Sequence, residues 1–447
     1  MHATSPAQPL TSSRTQNPLT GVAVIPGDKS ISHRALMFGG LAVGETVITG
    51  LLEGEDVLNT AQAMRAMGAF IEKGSDGLWR CRGVGVGGLH EPSQILDMGN
   101  SGTSTRLLMG LVAGHNMTAL FTGDASLIKR PMARVMKPLE MMGARFMSRD
   151  GGRLPLAMTG TDRILPIEYT LPVASAQVKS AILLAGLSAR GVTSVIETKP
   201  TRDHSENMLR HFGVRVDVED LDNGAQCVRV HGQQEMVGAH VTVPSDPSSA
   251  AFPAVAALLN AGSDIRLNNI GMNPRRTGVY QTLIDMGGDI RFENQRIQGG
   301  EPVADIIITG RHQLRGIDVP VERVPSMIDE FPILACAAAC AEGITRMTGL
   351  EELRVKESDR LLMIAQGLSA CGVKLEMGES DLTIYGTGTP PEGGVTIATA
   401  LDHRIAMSFL VLGTVTRAPI TVDDGSPIAT SFPDFLPLMK KLGAHIS

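Results

Sequence analysis

Six times along the chain the same phrase recurs: a short strand, a loop rich in Ser, Asp or Gly, and a nearly all-apolar helix. A turn, a strand, a second helix closed by Gly and a further strand follow. The closing glycines fall at Gly68, Gly143, Gly213, Gly287, Gly372 and Gly443, a spacing of roughly 75 residues and longer than that of common solenoids. The first helices open near Lys29, Asn100, Ser175, Ser248, Ile328 and Asp402, at the same period. Each copy therefore sets its irregular loop at the N-terminus of a helix. Unpaired backbone N–H groups and the macrodipole make such ends attractive to anions. Six repeats built this way predict an anion-binding cleft.

The same pattern bounds the fold. The first helices, such as Ala35–Val43, Leu107–Ala113 and Ile333–Ala341, are apolar all round, and a helix with no polar face must be buried. The second helices are amphipathic: Leu58, Ala61, Met64 and Met67 share one with Asn59, Gln62 and Arg65. The expectation is an α/β protein of two domains, six βαβαββ-like repeats with buried helices inside and sheets outside. One domain is expected at residues 27–240, and the other at 19–26 plus 241–447. The strand at Gly21–Ile25 is expected to complete repeat six. Two chain crossings, near residues 26 and 241, would form a hinge permitting closure on a ligand in an interdomain active site. Residues 1–18, rich in Ser, Thr, Gln and Pro, read as a disordered tail.

At 447 residues the chain exceeds a single ordinary core. A net charge of −6 argues against a nucleic-acid partner, though not against a local basic pocket. No apolar run reaches the length of a membrane span. Five cysteines without paired spacing suggest a reduced, cytoplasmic protein, with Cys336 and Cys340 as small buried hydrophobes rather than metal ligands.

The charged loop residues are distributed unevenly. Repeat one opens with PGDKSISHR, giving Lys29, Ser30, His33 and Arg34; repeat two with GNSGTSTR, followed by Lys129 and Arg130. Repeat three supplies Ser175, Gln177, Lys179, Arg202 and Asp203. Repeats five and six supply Asp329, Glu330, RVKESDR at 354–360, and Asp402, His403 and Arg404; repeat four has only SDPSS. Singly, each has an ordinary explanation: helix caps for Asp203 and Asp402, structural histidines for His33 and His403, a solvated helix face for Lys356–Arg360. Together, at least five Lys or Arg at equivalent loop ends in an acidic chain point to phosphate or carboxylate recognition. Asp329 and Glu357 among them suit proton transfer. No metal-ligand spacing and no nucleotide-binding glycine loop is present. Read this far, the residues describe an enzyme for small polyanions using acid–base chemistry, with no metal and no cofactor.

PGDKSISHR, GNSGTSTRLL, GDASLIKRPM, ASAQVKSAILLAG, PSMIDEFPIL, LEELRVKESDRL and LDHRIAMSF closely resemble, in order, the motifs of the 5-enolpyruvylshikimate-3-phosphate (EPSP) synthase family. The spelling SHR, KRPM and EELRVKESDR resembles its class II bacterial branch. The resemblance implies the enolpyruvyl transferase fold and transfer of the enolpyruvyl group of phosphoenolpyruvate to the 5-hydroxyl of shikimate 3-phosphate. The partners implied are these two small molecules, with no membrane and no nucleic acid, acting on a monomer. Lys29, Ser30, Arg34, Ser175, Ala176, Gln177, Arg202, Asp329 and Lys356 match the family's shikimate 3-phosphate positions. Lys29, Gly102, Arg130, Gln177, Arg360 and Arg404 match its phosphoenolpyruvate positions. The resemblance gives the catalytic work to Asp329, Glu357 and Lys29: Asp329 accepts the hydroxyl proton and Glu357 protonates the methylene carbon. Gly102 lies where the family's inhibitor glyphosate binds. Thr430, in IATSFPDF, stands where other members carry a Lys that touches phosphoenolpyruvate.

Two alternatives are weaker. The sister transferase acting on UDP-N-acetylglucosamine uses an early Lys-Asn and a reactive Cys; here the pair is Lys29-Ser30, and no Cys lies between Met98 and Met142. A six-repeat sliding clamp needs basic helices, whereas these first helices are apolar.

Overall fold

The computed structural model describes residues 7–447. Two helices occur in each repeat: α1 and α2 (Lys29–Gly39, Glu55–Ala66), α3 and α4 (Gly102–Ala113, Ala133–Met141), α5 and α6 (Ala176–Gly186, His204–His211), α7 and α8 (Pro247–Leu259, Gly278–Asp285), α9 and α10 (Phe331–Cys340, Arg360–Ala370), and α11 and α12 (His403–Gly413, Phe435–Leu442). The first helix of each pair is buried: all ten residues of α9 and all but Leu259 of α7. Five of the six begin with a side-chain cap, in which Asp28, Ser101, Ser175, Asp246 or Asp402 accepts from a backbone N–H of the first turn. The exception, α9, starts with Pro332 in its first turn, where a missing N–H costs no hydrogen bond.

The six closing glycines all have positive φ, between 85° and 113°. That left-handed backbone ends the second helix and turns the chain into the next strand. Small residues also let the inner helices meet closely. A Cβ on Gly110 of α3 would lie 2.3 Å from the carbonyl oxygen of Ala181 in α5.

Each repeat contributes one sheet, in which the strand after the first helix lies beside a parallel first strand and an antiparallel last one. In repeat two these are Thr118–Thr122, beside Leu96–Asp97 and Arg153–Thr159; Arg145–Arg149 forms the far edge. Repeat three follows the same order with Glu168–Thr170, Val192–Glu197, Gln226–His231 and Val216–Asp220. In repeat five the first strand is reduced to two isolated bridges, at Arg315 and Asp318.

Repeats one and four exchange their first strands. His240–Thr242, which precedes α7, pairs with Glu45–Thr49 of repeat one. Thr20–Ala23, which precedes α1, pairs with Asp264–Gly271 of repeat four. The strand near residue 21 therefore does not complete repeat six, because its parallel partner is in repeat four. Leu10–Ser13 completes repeat six, between Ile420–Val422 and His445–Ile446. This corrects the expected disordered tail; the part of it at residues 1–6 lies outside the described residues. Short hydroxyl side chains suit a strand with a neighbour on each side. Ser12 is fully buried, the Thr11 hydroxyl meets that of Thr421 at 2.9 Å, and Thr11 and Ser447 exchange backbone hydrogen bonds at 2.8 Å.

The chain divides into two compact units, one of residues 27–243 with 298–301, the other of residues up to 26, 244–297 and 302–447. The second boundary falls after Val243 rather than residue 240, because His240–Thr242 belongs to the sheet of repeat one. Each unit has its own apolar core around three first helices. Among the described residues no helix is long and apolar enough to cross a membrane.

Candidate active site

In the N-terminal unit the expected site residues lie at or near helix starts. Lys29 and Ser30 open α1, Gly102 opens α3, and Ser175, Ala176 and Gln177 begin α5. Arg130 follows a 3-10 turn at Leu127–Lys129, and Arg202 lies in the loop before α6. Lys29 Nζ pairs with Asp56 Oδ2 at 2.8 Å. The Arg34 guanidinium donates to Ser205 Oγ at 2.8 Å, to Ser180 Oγ at 2.9 Å and to the Ser30 carbonyl at 2.9 Å. Arg130 donates to Asn100 Oδ1 at 2.5 Å and Ser126 Oγ at 2.9 Å.

Gly102 sits between two guanidinium groups. A Cβ there would lie 2.8 Å from Arg106 Nη1 and 3.3 Å from Arg130 Nη1. Arg106 donates to Gln177 Oε1 at 2.6 Å, and Gln177 donates to Thr103 Oγ1 at 3.0 Å, so Arg106 links Gln177 to Gly102, which Arg130 flanks on its other side. His33 is structural. Its Nδ1 meets Thr60 Oγ1 at 2.8 Å and Ser104 Oγ at 3.2 Å, tying α1 to α2 and α3. Burial, then the charges of Lys29 and Arg34, push its pKa well below the usual histidine value, against a smaller raising effect of Asp28.

Lys179, grouped by sequence with the loop cations, is fully buried between Glu197 (2.7 Å) and Glu206 (2.6 Å). Burial opposes its charge, but Glu206 and Glu197 more than offset that and raise its pKa.

In the C-terminal unit the expected residues converge on Arg360, the first residue of α10. Its side chain is 1% exposed, and it contacts Asp329 Oδ1 at 3.1 Å, Asp402 Oδ2 at 2.8 Å and the Glu357 carboxylate one turn before it. Burial works against the guanidinium charge, and Asp402, Glu357 and Asp329 outweigh it, so its pKa is raised. Lys356 Nζ reaches Asp329 Oδ1 at 3.3 Å. Arg404 donates to the Asp329 carbonyl at 3.1 Å and to Glu330 Oε1 at 3.2 Å. Asp329, Lys356, Glu357, Arg360 and Arg404 thus form one cluster.

Asp402 is the member that sequence reasoning placed as a plain helix cap. It does cap α11 through the Arg404 N–H at 2.9 Å, and it also anchors Arg360 and accepts from Ser358 Oγ at 3.0 Å. No local signal marked this second role, since Arg360 and Ser358 lie 42 and 44 residues back along the chain. Asp56, Glu197 and Glu206 carried no such signal, since their partners are far along the chain. The Thr430 hydroxyl closes its own turn on the Pro427 carbonyl at 2.7 Å. Among the described residues no group of three or more His, Cys, Asp or Glu is placed to hold a metal ion.

The model of the EPSP synthase family, described as 3-phosphoshikimate 1-carboxyvinyltransferase, matches residues 13–439. The chain belongs to the EPSP synthase family. A relative from Paramagnetospirillum magneticum, named 3-phosphoshikimate 1-carboxyvinyltransferase, is 63% identical over 99% of this chain and 98% of its own. One of the same name from Parvibaculum lavamentivorans is 59% identical over 98% of each. A solved EPSP synthase structure from Acinetobacter baumannii superposes with a TM-score of 0.85 at 48% identity, covering 98% of this chain and 100% of that one. The enolpyruvyl transferase NikO from Streptomyces tendae, at 21% identity and a TM-score of 0.74 over 99% of each chain, shares the fold. The EPSP synthase fold is this one: α/β, inside-out, with buried helices and outer sheets.

Proposed function

We propose that this chain transfers the enolpyruvyl group of phosphoenolpyruvate to the 5-hydroxyl of shikimate 3-phosphate, releasing phosphate through a tetrahedral intermediate. The observation that carries the reading is the pair of carboxylates, Asp329 and Glu357, held on one buried guanidinium while keeping 14% and 18% of their side-chain surface exposed. The reaction needs two proton transfers, and two fixed, reachable carboxylates supply them. Asp329 takes the proton of the 5-hydroxyl as its oxygen attacks C2 of phosphoenolpyruvate, and Glu357 delivers a proton to C3. The tetrahedral adduct then loses phosphate from C2 and a proton from the methyl group, which restores the double bond. Lys29 shares in the proton transfer and in holding both substrates.

Ser30, Arg34, Ser175, Ala176, Gln177, Arg202 and Lys356 bind shikimate 3-phosphate, with Asp329 at the reacting hydroxyl. Gly102, Arg130, Gln177, Arg360 and Arg404 bind phosphoenolpyruvate. The chain acts as a class II bacterial member, a cytoplasmic monomer without nucleic-acid or membrane partners. The spelling SHR, KRPM and EELRVKESDR supports the class II reading, and the net charge of −6 supports the absence of a nucleic-acid partner.

Phosphate release tests the function. Phosphoenolpyruvate with shikimate 3-phosphate should release phosphate, and phosphoenolpyruvate with UDP-N-acetylglucosamine should not. Release with only the sugar nucleotide would overturn the reading.

A further inference from the structure

The buried Lys179 has no part in the chemistry proposed above, yet it occupies a particular place. Glu197 ends the strand Val192–Glu197, and Glu206 lies in the first turn of α6, so the two carboxylates bracket the loop at 198–203. Both reach the same ammonium, and all three side chains are at most 1% exposed. Lys179 is one turn into α5, with its backbone N–H on the Ser175 carbonyl at 3.1 Å. Within the loop, the Thr201 hydroxyl donates to Glu197. A second tie runs alongside: Ser180 and Ser205, the chain neighbours of Lys179 and Glu206, share a hydrogen bond of 2.7 Å and both accept from Arg34.

Two buried carboxylates that share one ammonium are kept ionised by it; without the cation, burial and mutual repulsion would favour protonating one of them. A buried ion cluster is a weak source of stability, since well-packed apolar residues often do as well. What it supplies here is placement: the Lys179 ammonium donates to Glu197 and pairs with Glu206, and so ties three backbone segments to one point.

We propose that the Lys179–Glu197–Glu206 triad is a positioning device for shikimate 3-phosphate binding. It closes the base of the 198–203 loop and locks it to the first turns of α5. Arg202 on the loop and Ser175, Ala176 and Gln177 on the helix are thereby presented together. The inference rests on the function proposed above.

The test compares wild type with Lys179→Met, Glu197→Leu and Glu197→Gln by steady-state kinetics, by calorimetric binding of shikimate 3-phosphate, and by melting to establish that each variant folds. Lys179→Met and Glu197→Leu should raise the KM and Kd for shikimate 3-phosphate at least about tenfold, with kcat within about threefold of wild type and a clearly smaller rise in the KM for phosphoenolpyruvate, whose proposed site shares only Gln177 with the residues the triad presents. Glu197→Gln keeps one acceptor oxygen for Lys179, while its amide NH2 can donate to the Thr201 hydroxyl in place of the bond Thr201 donates in wild type, and should restore shikimate 3-phosphate affinity to within about threefold. A folded Lys179→Met with unchanged affinity overturns the proposal, as does an equal rise in both KM values. If Lys179→Met does not fold, the Glu197 pair decides: equal affinity in the Leu and Gln variants overturns it. Wild type that neither binds shikimate 3-phosphate nor releases phosphate overturns the proposed function along with this inference. Binding wild type with unaffected variants overturns this inference alone.

Discussion

Two buried cations, one in each compact unit, organise the groups around them. Lys179 is held by Glu197 and Glu206, and Arg360 by Asp329, Glu357 and Asp402. Around Lys179 every carboxylate is closed off from solvent. Around Arg360 only Asp402 is closed, while Asp329 and Glu357 keep part of their surface. The difference separates two uses of one device. A sealed cluster can only hold backbone in place, whereas a cluster with open members can hold reactive groups in fixed geometry and still offer them to a substrate. Arginine suits the second use, because its planar fork can grip several carboxylates at once.

The largest expected effect tests the open cluster. Asp329→Ala should lower kcat by about 10²–10⁴-fold while part of the shikimate 3-phosphate affinity survives; near-normal turnover at saturation would remove Asp329 from the chemistry. The sealed cluster should respond in stability instead. Lys179→Met strands two buried carboxylates and should cost about 3–5 kcal/mol, read from the denaturant midpoint; a loss under about 1 kcal/mol would show that the cluster is not tightly held.

Gly102→Ala probes the small gap beside Arg106 and Arg130. The added Cβ at 2.8 Å from Arg106 Nη1 must displace a side-chain end. Glyphosate, longer than phosphoenolpyruvate, should lose about 2 kcal/mol, roughly 30-fold in affinity, with a smaller change in the KM for phosphoenolpyruvate. Equal changes would defeat the steric argument.

The smallest effect concerns His33. Its folded pKa lies below the ordinary value, so its stabilisation is present above about pH 6.5 and is lost as pH falls through the folded value. Melting temperature should decline from about pH 7 to about pH 5, and His33→Asn should decline less steeply. Identical slopes would show that another group titrates.

The repeat, the buried first helices and the sheet-outside plan were legible in the sequence because apolar periodicity and closing glycines are local signals. The strand exchange was not. Nothing local distinguishes a parallel partner in repeat four from one in repeat six, and Thr20–Ala23 chooses by tertiary pairing. Leu10–Ser13 was hidden by its composition, since LTSS reads as polar coil until both neighbours are present. At the site, Asp329, Lys356, Glu357, Arg360 and Arg404 were legible as motif residues, and their convergence on one guanidinium was not. Lys179 was misplaced because a lysine at a helix start reads as a surface cation. Only its partners, 18 residues on at Glu197 and nine residues beyond that at Glu206, reveal it as buried.

Single-turnover rates at saturating phosphoenolpyruvate and shikimate 3-phosphate test the division between open and sealed clusters most directly. The account predicts that the chemical step slows at least about 100-fold in Asp329→Ala and stays within about threefold of wild type in Glu197→Leu once substrate is saturating. Equal slowing in the two variants, or an unslowed Asp329→Ala, would contradict it.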